Sequence, residues 1–138
     1  MTGNCDSNIN TMIKEYGLSN YIIFLGFLDD KELACYYRHA SCLIIPSFYE
    51  GFGLPAVESI ACGTPVVYSK NTAIEEIVGK EKCGIGINPY DYKEIALGIE
   101  KAINLKNKKI MKNEAIKIRE KYSWDKVANH IINILNNN

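Results

Sequence analysis

The chain has 138 residues, with 16 lysines and arginines against 16 aspartates and glutamates, so its formal net charge is zero. A chain of this length is expected to form one domain that buries about two thirds of its extended-chain surface. The balanced charge gives no basic field for nucleic acid, no apolar run reaches the ~18 residues needed to cross a bilayer, and no signal-peptide pattern is present. Composition therefore favours a cytoplasmic domain.

An N-terminal helix, capped by Asp6 or Ser7, is the first predicted element. The apolar run Tyr21–Leu25 follows and predicts a strand. Asp29 and Glu32 then have the capping-box spacing that opens a second helix. We interpret the adjacent tyrosines at positions 36 and 37 of that helix as packing residues.

Three further apolar segments predict strands. Cys42–Ile45 is an unbroken branched run closed by Pro46, which favours a parallel strand buried on both faces. Val66–Tyr68 and Gly84–Ile87 follow, with a helix before each of them. This alternation predicts an α/β fold with a parallel sheet of about four strands flanked by helices.

Capping spacings locate the remaining helices. Thr72–Glu75 opens a short helix, and Asp91–Glu94 opens a longer one. A lysine-rich connecting stretch over residues 106–112 and a last helix capped by Ser123 complete the chain. We expect the lysine-rich stretch to lie on the surface, with peripheral contact to the inner face of a membrane as the alternative.

The cysteines are spread along the chain without a C-x-x-C pair or a histidine cluster nearby. Their odd count and irregular spacing argue against a disulfide framework and against a zinc site. We expect reduced, buried thiols and no metal site. The cysteines are Cys5, Cys35, Cys42, Cys62 and Cys83.

The most informative segment is Ser-Phe-Tyr-Glu-Gly-Phe-Gly-Leu-Pro-Ala-Val-Glu, from Ser47 to Glu58. It follows a predicted strand, and Pro55 suits the first turn of a helix because its missing N–H would be unpaired there. Helix N-termini attract anions, and the glycines after Glu50 allow the backbone to present its amides to phosphate or sugar oxygens.

Two carboxylates stand beside this predicted anion site, Glu50 on the loop and Glu58 about one turn into the helix. Carboxylates repel phosphate, but they accept hydrogen bonds from the neighbouring hydroxyls of a sugar. A ligand that carries both phosphate and sugars satisfies every group. Without such a ligand, Glu50 is a solvated loop residue and Glu58 stabilises its helix by about 0.3–1 kcal/mol through the helix dipole. The residues alone leave both interpretations open.

The segment resembles the Ser-x-x-Glu-Gly-Phe-Gly-x-Pro-x-x-Glu signature of retaining GT-B glycosyltransferases of the glycosyltransferase group 1 family. The fixed positions of that signature are matched by Ser47, Glu50, Gly51, Phe52, Gly53, Pro55 and Glu58. The similarity extends in family order over Leu18–Leu105 and again at Tyr122–Trp124. It implies a Rossmann-like sheet that forms part of the C-terminal domain of a GT-B fold.

By this resemblance, Glu50 is the catalytic residue and contacts the transferred sugar near its anomeric centre. The loop backbone after it would hold the sugar and diphosphate, Glu58 would bind the ribose, and the backbone of Leu28 would meet the base. The residues that the resemblance assigns to donor binding are Gly51, Phe52, Gly53, Leu54, Glu58 and Leu28. The donor would be a UDP-sugar or a GDP-sugar, and the family chemistry needs no further cofactor and no metal.

The resemblance also implies that the chain is a partial domain. The family's donor domain starts with further strands, and an arginine and a lysine after the first of them neutralise the diphosphate, whereas Met1–Asn4 is similar to the end of the second strand. We expect a single partial domain with an α/β core over residues 1–105 and a helical segment over residues 106–138. The N-terminal acceptor-binding domain would lie outside the chain, which alone would be incomplete for turnover. An uncovered sheet edge would favour self-association.

The first hypothesis is therefore the donor-binding domain of a hexosyltransferase, which moves a hexose from a nucleoside-diphosphate sugar to an unknown acceptor with retention. The alternative is a truncated glycosyltransferase that acts as a non-catalytic module, binding a nucleotide sugar or a partner protein. A nucleotide-sugar epimerase on the same fold is a third hypothesis, which the pairing of Glu50 with Glu58 disfavours.

Overall fold

The structure, a computed structural model, describes residues 6–78, 83–105 and 109–136. These residues belong to two compact units that divide between Cys35 and Tyr36. Each unit is described by itself below.

The first unit contains helix α1, Ser7–Glu15, and the beginning of helix α2, Asp30–His39, which continues past the boundary. Asp6 caps α1, because its carboxylate accepts a hydrogen bond at 3.0 Å from the backbone amide of Asn8. Asp29 and Glu32 form the predicted capping box, because each carboxylate accepts a hydrogen bond from the other residue's amide, at 2.8 and 3.0 Å. Both predicted helix starts are confirmed.

The predicted strand over Tyr21–Leu25 is wrong. Tyr21 lies in a turn, and residues 22–25 have no regular secondary structure. A strand requires a neighbouring strand that supplies its ladder of hydrogen bonds, and none of the three described strands pairs with this segment. Its apolar composition was therefore insufficient to make it a strand.

The second unit is built around a parallel sheet with the strand order β1-β2-β3. The strands are β1, Leu43–Ile45, β2, Val66–Ser69, and β3, Gly84–Ile87. In the central strand, Val66 lies opposite Leu43 on one side and Gly84 on the other. The α/β class and the parallel sheet are confirmed, with three described strands instead of about four.

Helices lie on both faces of this sheet. The helices that follow α2 along the chain are α3, Leu54–Ala61, α4, Ala73–Val78, α5, Tyr92–Leu105, α6, Lys109–Lys121, and α7, Trp124–Asn136. Successive side chains of a strand point to opposite faces. Accordingly, Val66 and Tyr68 join a core cluster with α3, α4 and α6, whereas Val67 joins a second cluster that includes Ala102 of α5.

Strand β1 is less buried than predicted. Ile44 is 41% exposed, whereas Leu43 and Ile45 pack against the core on the opposite face. A parallel strand is buried on both faces only where helices cover both. β1 lies at the edge of the described sheet, and the face that carries Ile44 stays open to solvent.

Helix α6 occupies part of the segment that we predicted to be a basic connecting stretch. Met111, Ala115 and Ile118 recur at helical spacing and are buried, and α6 packs against α3. Lys109 and Lys112 lie on this helix, and the other two lysines of the stretch fall outside the described residues. The prediction of a connecting segment is therefore wrong for residues 109–112, whereas the surface location predicted for Lys109 and Lys112 is confirmed, because both are exposed.

Helix α7 forms where a last helix was predicted, yet none of its residues is buried. Trp124 at its start is 78% exposed, and Leu135 near its end is 70% exposed. Within residues 6–78, 83–105 and 109–136, no helix combines the length and the hydropathy of a membrane span.

Candidate functional site

The segment from Ser47 to Glu58 forms the predicted loop and helix start. It leaves the carboxyl end of β1, and α3 begins at Leu54 with Gly53 as its N-cap and Pro55 within its first turn. Glu58 is the fifth residue of α3. The site thus lies where ligands collect in open parallel sheets, between a strand end and a helix start.

The two glycines of the loop have different roles. Gly53 has a φ of +86°, and a Cβ there would lie only 2.5 Å from Cγ1 of Ile74 in α4. Both its backbone conformation and its packing against α4 therefore require glycine. Gly51 lacks a positive φ, and a Cβ there would meet nothing within 4 Å. Open space for a ligand is consequently found at Gly51, while at Gly53 the space is filled by Ile74.

Aromatic contacts hold the loop on both sides of Glu50. Phe48 packs against Tyr90 with ring centroids 4.8 Å apart, and Phe52 meets Tyr122 edge to face at 5.7 Å. Pairs of this kind contribute about 0.5–1.5 kcal/mol beyond the burial of their area. The backbone around Glu50 is therefore tethered before and after the carboxylate.

Glu50 lies half-buried between those two contacts. Within the described part of the chain, its carboxylate has no hydrogen-bond partner. An ionised carboxylate is purely an acceptor, with about four lone-pair positions. Glu50 can therefore accept hydrogen bonds from a ligand or stabilise positive charge on it.

The N-terminus of α3 presents unpaired donors. No side chain caps the helix, and Pro55 lacks an N–H. The described residues offer no acceptor to the backbone amides of Gly53 and Leu54. Unpaired amides at a helix N-terminus, together with the positive end of the helix dipole, bind anionic oxygens.

Glu58 is exposed on α3 but is held by a neighbour. The hydroxyl of Tyr37, in the last turn of α2, donates a hydrogen bond to Oε2 of Glu58 at 3.3 Å. Tyr37 is buried. Its burial, and to a lesser extent the negative charge of Glu58, raise the pKa of its hydroxyl well above the ordinary range. Tyr37 is therefore a neutral donor throughout the physiological pH range.

The far end of α3 is fixed by α6. Nε of Arg119 donates a hydrogen bond at 2.7 Å to the carbonyl oxygen of Ala61, the last residue of α3, and its Nη2 donates to the same oxygen. A cation at a helix C-terminus interacts favourably with the helix dipole and with the unpaired carbonyls. Helix α3 is thus held at its C-terminus as well as at Gly53.

A cleft of about 530 Å³ opens beside Phe48 at the carboxyl ends of β2 and β3. Lys70 and Glu94 in its lining form an ion pair at 2.5 Å, and the hydrogen bond from Lys70 lowers the pKa of Glu94. The lining residues are Phe48, Ser69, Lys70, Asn71, Ile87, Asn88, Pro89, Tyr90 and Glu94. The charges of this cleft therefore balance.

Leu28 is the one predicted donor-binding residue that lies in the first unit. It is half-buried in the loop before α2. Its predicted backbone contact with a nucleotide base stays a prediction. The other predicted site residues all belong to the second unit, on the loop and helix described above.

Four cysteines lie in the described ranges, and each carries a reduced thiol. Cys83 is buried, Cys42 and Cys62 are half-buried, and Cys35 is exposed, so the prediction of buried thiols is wrong for Cys35. Cys5 falls outside the described residues. Within those residues, no group of three or more histidine, cysteine, aspartate or glutamate side chains could hold a metal ion.

Sequence reasoning missed the contact of Tyr37 with Glu58, because we interpreted both tyrosines of α2 as packing residues. The structure separates them, since Tyr36 is half exposed and Tyr37 is buried. A signal was available in the helical period: Tyr37 lies four residues after Leu33 and so shares the apolar side of α2. That signal predicts burial but does not identify Glu58 as the partner.

Comparisons with known proteins show the family of this chain. The model of the family "Glycosyl transferases group 1" matches residues 2–120. An uncharacterized glycosyltransferase of Methanocaldococcus jannaschii is 33% identical over 135 residues, which cover 96% of this chain and 35% of that protein. The MMP alpha-(1->4)-mannosyltransferase of Mycolicibacterium hassiacum is 35% identical over 120 residues, which cover 85% of this chain and 29% of that protein.

A solved structure is also similar. Sucrose-phosphate synthase from Thermosynechococcus elongatus matches with a TM-score of 0.86 and 28% identity, covering 99% of this chain and 37% of that chain. The fold is that of a GT-B glycosyltransferase domain. The chain belongs to the group 1 glycosyltransferase family, as the signature predicted, and it spans about a third of the length of these relatives.

Proposed function

We propose that this domain binds a UDP- or GDP-linked hexose as the donor half of a retaining hexosyltransferase. One arrangement carries the proposal. Glu50 precedes the N-terminus of α3, Glu58 lies one turn after it, and the amides of Gly53 and Leu54 between them are unpaired among the described residues. Such a site offers acceptors to sugar hydroxyls and donors to phosphate oxygens, so it matches a ligand that contains both.

In this proposal each group of the segment has a separate role. Glu58 accepts hydrogen bonds from the ribose hydroxyls, and the backbone over Gly51–Leu54 holds the hexose and the diphosphate. Glu50 lies beside the anomeric centre, where its negative charge stabilises the positive charge that develops as the bond to the diphosphate breaks.

The relatives support a transferred hexose, since one of them is a mannosyltransferase. Because the chain spans about a third of these relatives, we further propose that the acceptor is bound by residues outside this domain. Transfer would take place on the cytoplasmic side, where nucleotide sugars are available to the domain.

Donor binding is tested by titrating the protein calorimetrically with UDP-glucose and with GDP-mannose. Glu58→Ala is expected to lower the affinity for the donor by about 10- to 100-fold, because it removes hydrogen bonds between a charged group and hydroxyls. Glu76→Ala is the matched control, since Glu76 is an exposed glutamate on α4, and it should leave the affinity unchanged. Equal affinities of the wild type and Glu58→Ala would contradict the proposed role of Glu58.

The role of Glu50 is tested by the release of nucleoside diphosphate from the donor, measured with the acceptor-binding part of the protein present. Glu50→Gln keeps the size of the side chain but removes its charge, so donor affinity should change little while the release rate falls by about 100-fold or more. A fall in affinity without a fall in rate would place Glu50 in ground-state binding instead.

A non-catalytic module is the second candidate, and one observation favours it. The segment from Pro46 to Glu58 contains no lysine or arginine, so within this segment the charge of a diphosphate would meet only backbone amides. A module of this kind would bind the donor without releasing nucleoside diphosphate. Donor binding combined with a release rate that Glu50→Gln does not alter would select this candidate.

A further inference from the structure

The contact between Tyr37 and Glu58 joins two elements that are distant in sequence. Tyr37 is buried at the end of α2, and its hydroxyl lies 3.3 Å from Oε2 of Glu58, 21 residues further along the chain. Glu58 itself is exposed. A buried, neutral donor therefore holds one oxygen of a carboxylate that otherwise faces solvent.

The backbone of Tyr37 is anchored to the loop that follows α3. The backbone carbonyl of Tyr37 accepts a hydrogen bond from Oγ1 of Thr64, which is fully buried in the loop after α3. The carbonyl of Thr64 in turn accepts a hydrogen bond from Oγ of Ser59 at 3.1 Å. Ser59 follows Glu58 directly in α3, so the residues that support the tyrosine belong to the same helix region as the carboxylate that it contacts.

This contact leaves most of the acceptor capacity of Glu58 available. Oε1 has no partner among the described residues, and Oε2 retains one lone pair beyond the one that Tyr37 uses. A free glutamate side chain on a helix surface samples several rotamers, and ordering it on binding costs free energy. A carboxylate that is already oriented avoids part of that cost.

We propose that Tyr37 is a positioning residue that orients Glu58 for the simultaneous capture of two adjacent hydroxyls, as on a ribose. The inference rests on the proposed function, since it presupposes that Glu58 binds a nucleotide ribose. It adds a residue outside the signature to the site. It also makes the effect of Tyr37 specific, because Tyr37 should change the affinity only for ligands that carry the vicinal hydroxyls.

The test compares ligands with and without those hydroxyls. UDP and 2′,3′-dideoxy-UDP are titrated against the wild type and Tyr37→Phe, and the corresponding GDP pair is titrated in parallel. Tyr37→Phe is expected to weaken binding of the ribonucleotide by about 3- to 10-fold, less than the loss of a direct hydrogen bond to a charged group, because Tyr37 orients the carboxylate and does not itself bind the ligand. It should leave the dideoxy ligand and the melting temperature unchanged. Tyr36→Phe is the matched control, because Tyr36 is the adjacent and more exposed tyrosine of α2.

A double-mutant comparison completes the test. In the Glu58→Ala background, Tyr37→Phe should have no further effect on the ribonucleotide, because the oriented group is gone. An equal loss for both ligands, or a lower melting temperature that accounts for the loss, would assign Tyr37 a purely structural role and overturn the inference. An unchanged or tighter ribonucleotide affinity would also overturn it.

Failure of the inference is distinguishable from failure of the proposed function. If the wild type binds neither the UDP nor the GDP pair, the donor site itself is refuted and the role of Tyr37 with it. If the wild type prefers the ribonucleotide and Glu58→Ala abolishes the preference while Tyr37→Phe keeps it, only the role of Tyr37 is refuted.

Discussion

Helices α3 and α7 both carry an apolar face, yet only one of them is packed. In the eight residues of α3, Ala56, Val57, Ser59 and Ile60 are buried, whereas none of the thirteen residues of α7 is buried. Helix α3 contacts β1, β2, α4 and α6. The difference shows that the location of a helix in the fold, more than its apolar pattern, decides how much of it is buried.

The comparison has a consequence for function, since the candidate site lies on the packed helix. Gly53 at the start of α3 packs against Ile74, and Ala61 at its end is held by Arg119. Glu58 is therefore presented from a helix that is fixed at both ends. A carboxylate on a helix without buried residues would lack that support.

The largest expected effect comes from removing an apolar side chain from α3, compared with the same removal from α7. Ile60→Ala removes a fully buried side chain of α3, so the free energy of unfolding should fall by about 2–5 kcal/mol. Ile132→Ala on α7 removes a side chain that is half exposed, and the free energy should fall much less. Urea unfolding of both variants checks the contrast. Equal losses would show that α7 is as firmly packed as α3.

An intermediate effect is expected at the N-cap of α3. Gly53→Ala introduces a Cβ at a positive φ and in contact with Ile74, so it should lower the free energy of unfolding by about 1–3 kcal/mol. Gly51→Ala, in open space two residues earlier, should change the free energy of unfolding little. A loss of donor affinity in this variant would show that the bound donor lies against Gly51. Unfolding and donor titrations together separate the two glycines. Similar stability losses would refute the distinction between them.

The smallest effect is expected at the exposed ion pair of the cleft. The pKa of Glu94 is lowered by its hydrogen bond from Lys70, so the pair stabilises the folded state at neutral pH. This stabilisation is lost as the pH falls through the lowered pKa of Glu94. Lys70→Met should therefore reduce the melting temperature slightly at neutral pH and not at acidic pH, with a smaller effect in high salt. A reduction that is the same at both pH values would point to lost packing instead.

Three similar capping patterns show how far sequence determines local structure. Asp29 and Glu32 form the complete box. Asp91 caps α5 as predicted, but the carboxylate of Glu94 turns to Lys70. In the third pattern, Glu75 accepts from the amide of Asn71 instead of that of Thr72, whose hydroxyl donates to the carbonyl of Ser69. The spacing in the sequence determines which capping groups can reach the helix N-terminus. A residue that is distant in sequence can bind one of these side chains instead, as Lys70 binds Glu94.

The strands show the same limit. Val66–Ser69 is buried along its whole length, as its composition indicates, because a strand lies on each side of it and helices cover both faces. Cys42–Ile45 has a similar composition, but its strand lies at the edge of the described sheet and exposes Ile44. Tyr21–Leu25 is equally apolar and forms no strand. Strand pairing depends on a distant partner, which composition does not specify.

By itself, the sequence determined the α/β class, the loop and helix of the signature and the family to which the chain belongs. These features depend on interactions between residues a few positions apart, or on residue identities that can be compared directly. The tertiary structure decided that Gly53 accommodates Ile74, that α6 supports α3 and that Tyr37 reaches Glu58. Each of these contacts spans 21 or more residues, and the chain must fold before such distant groups meet.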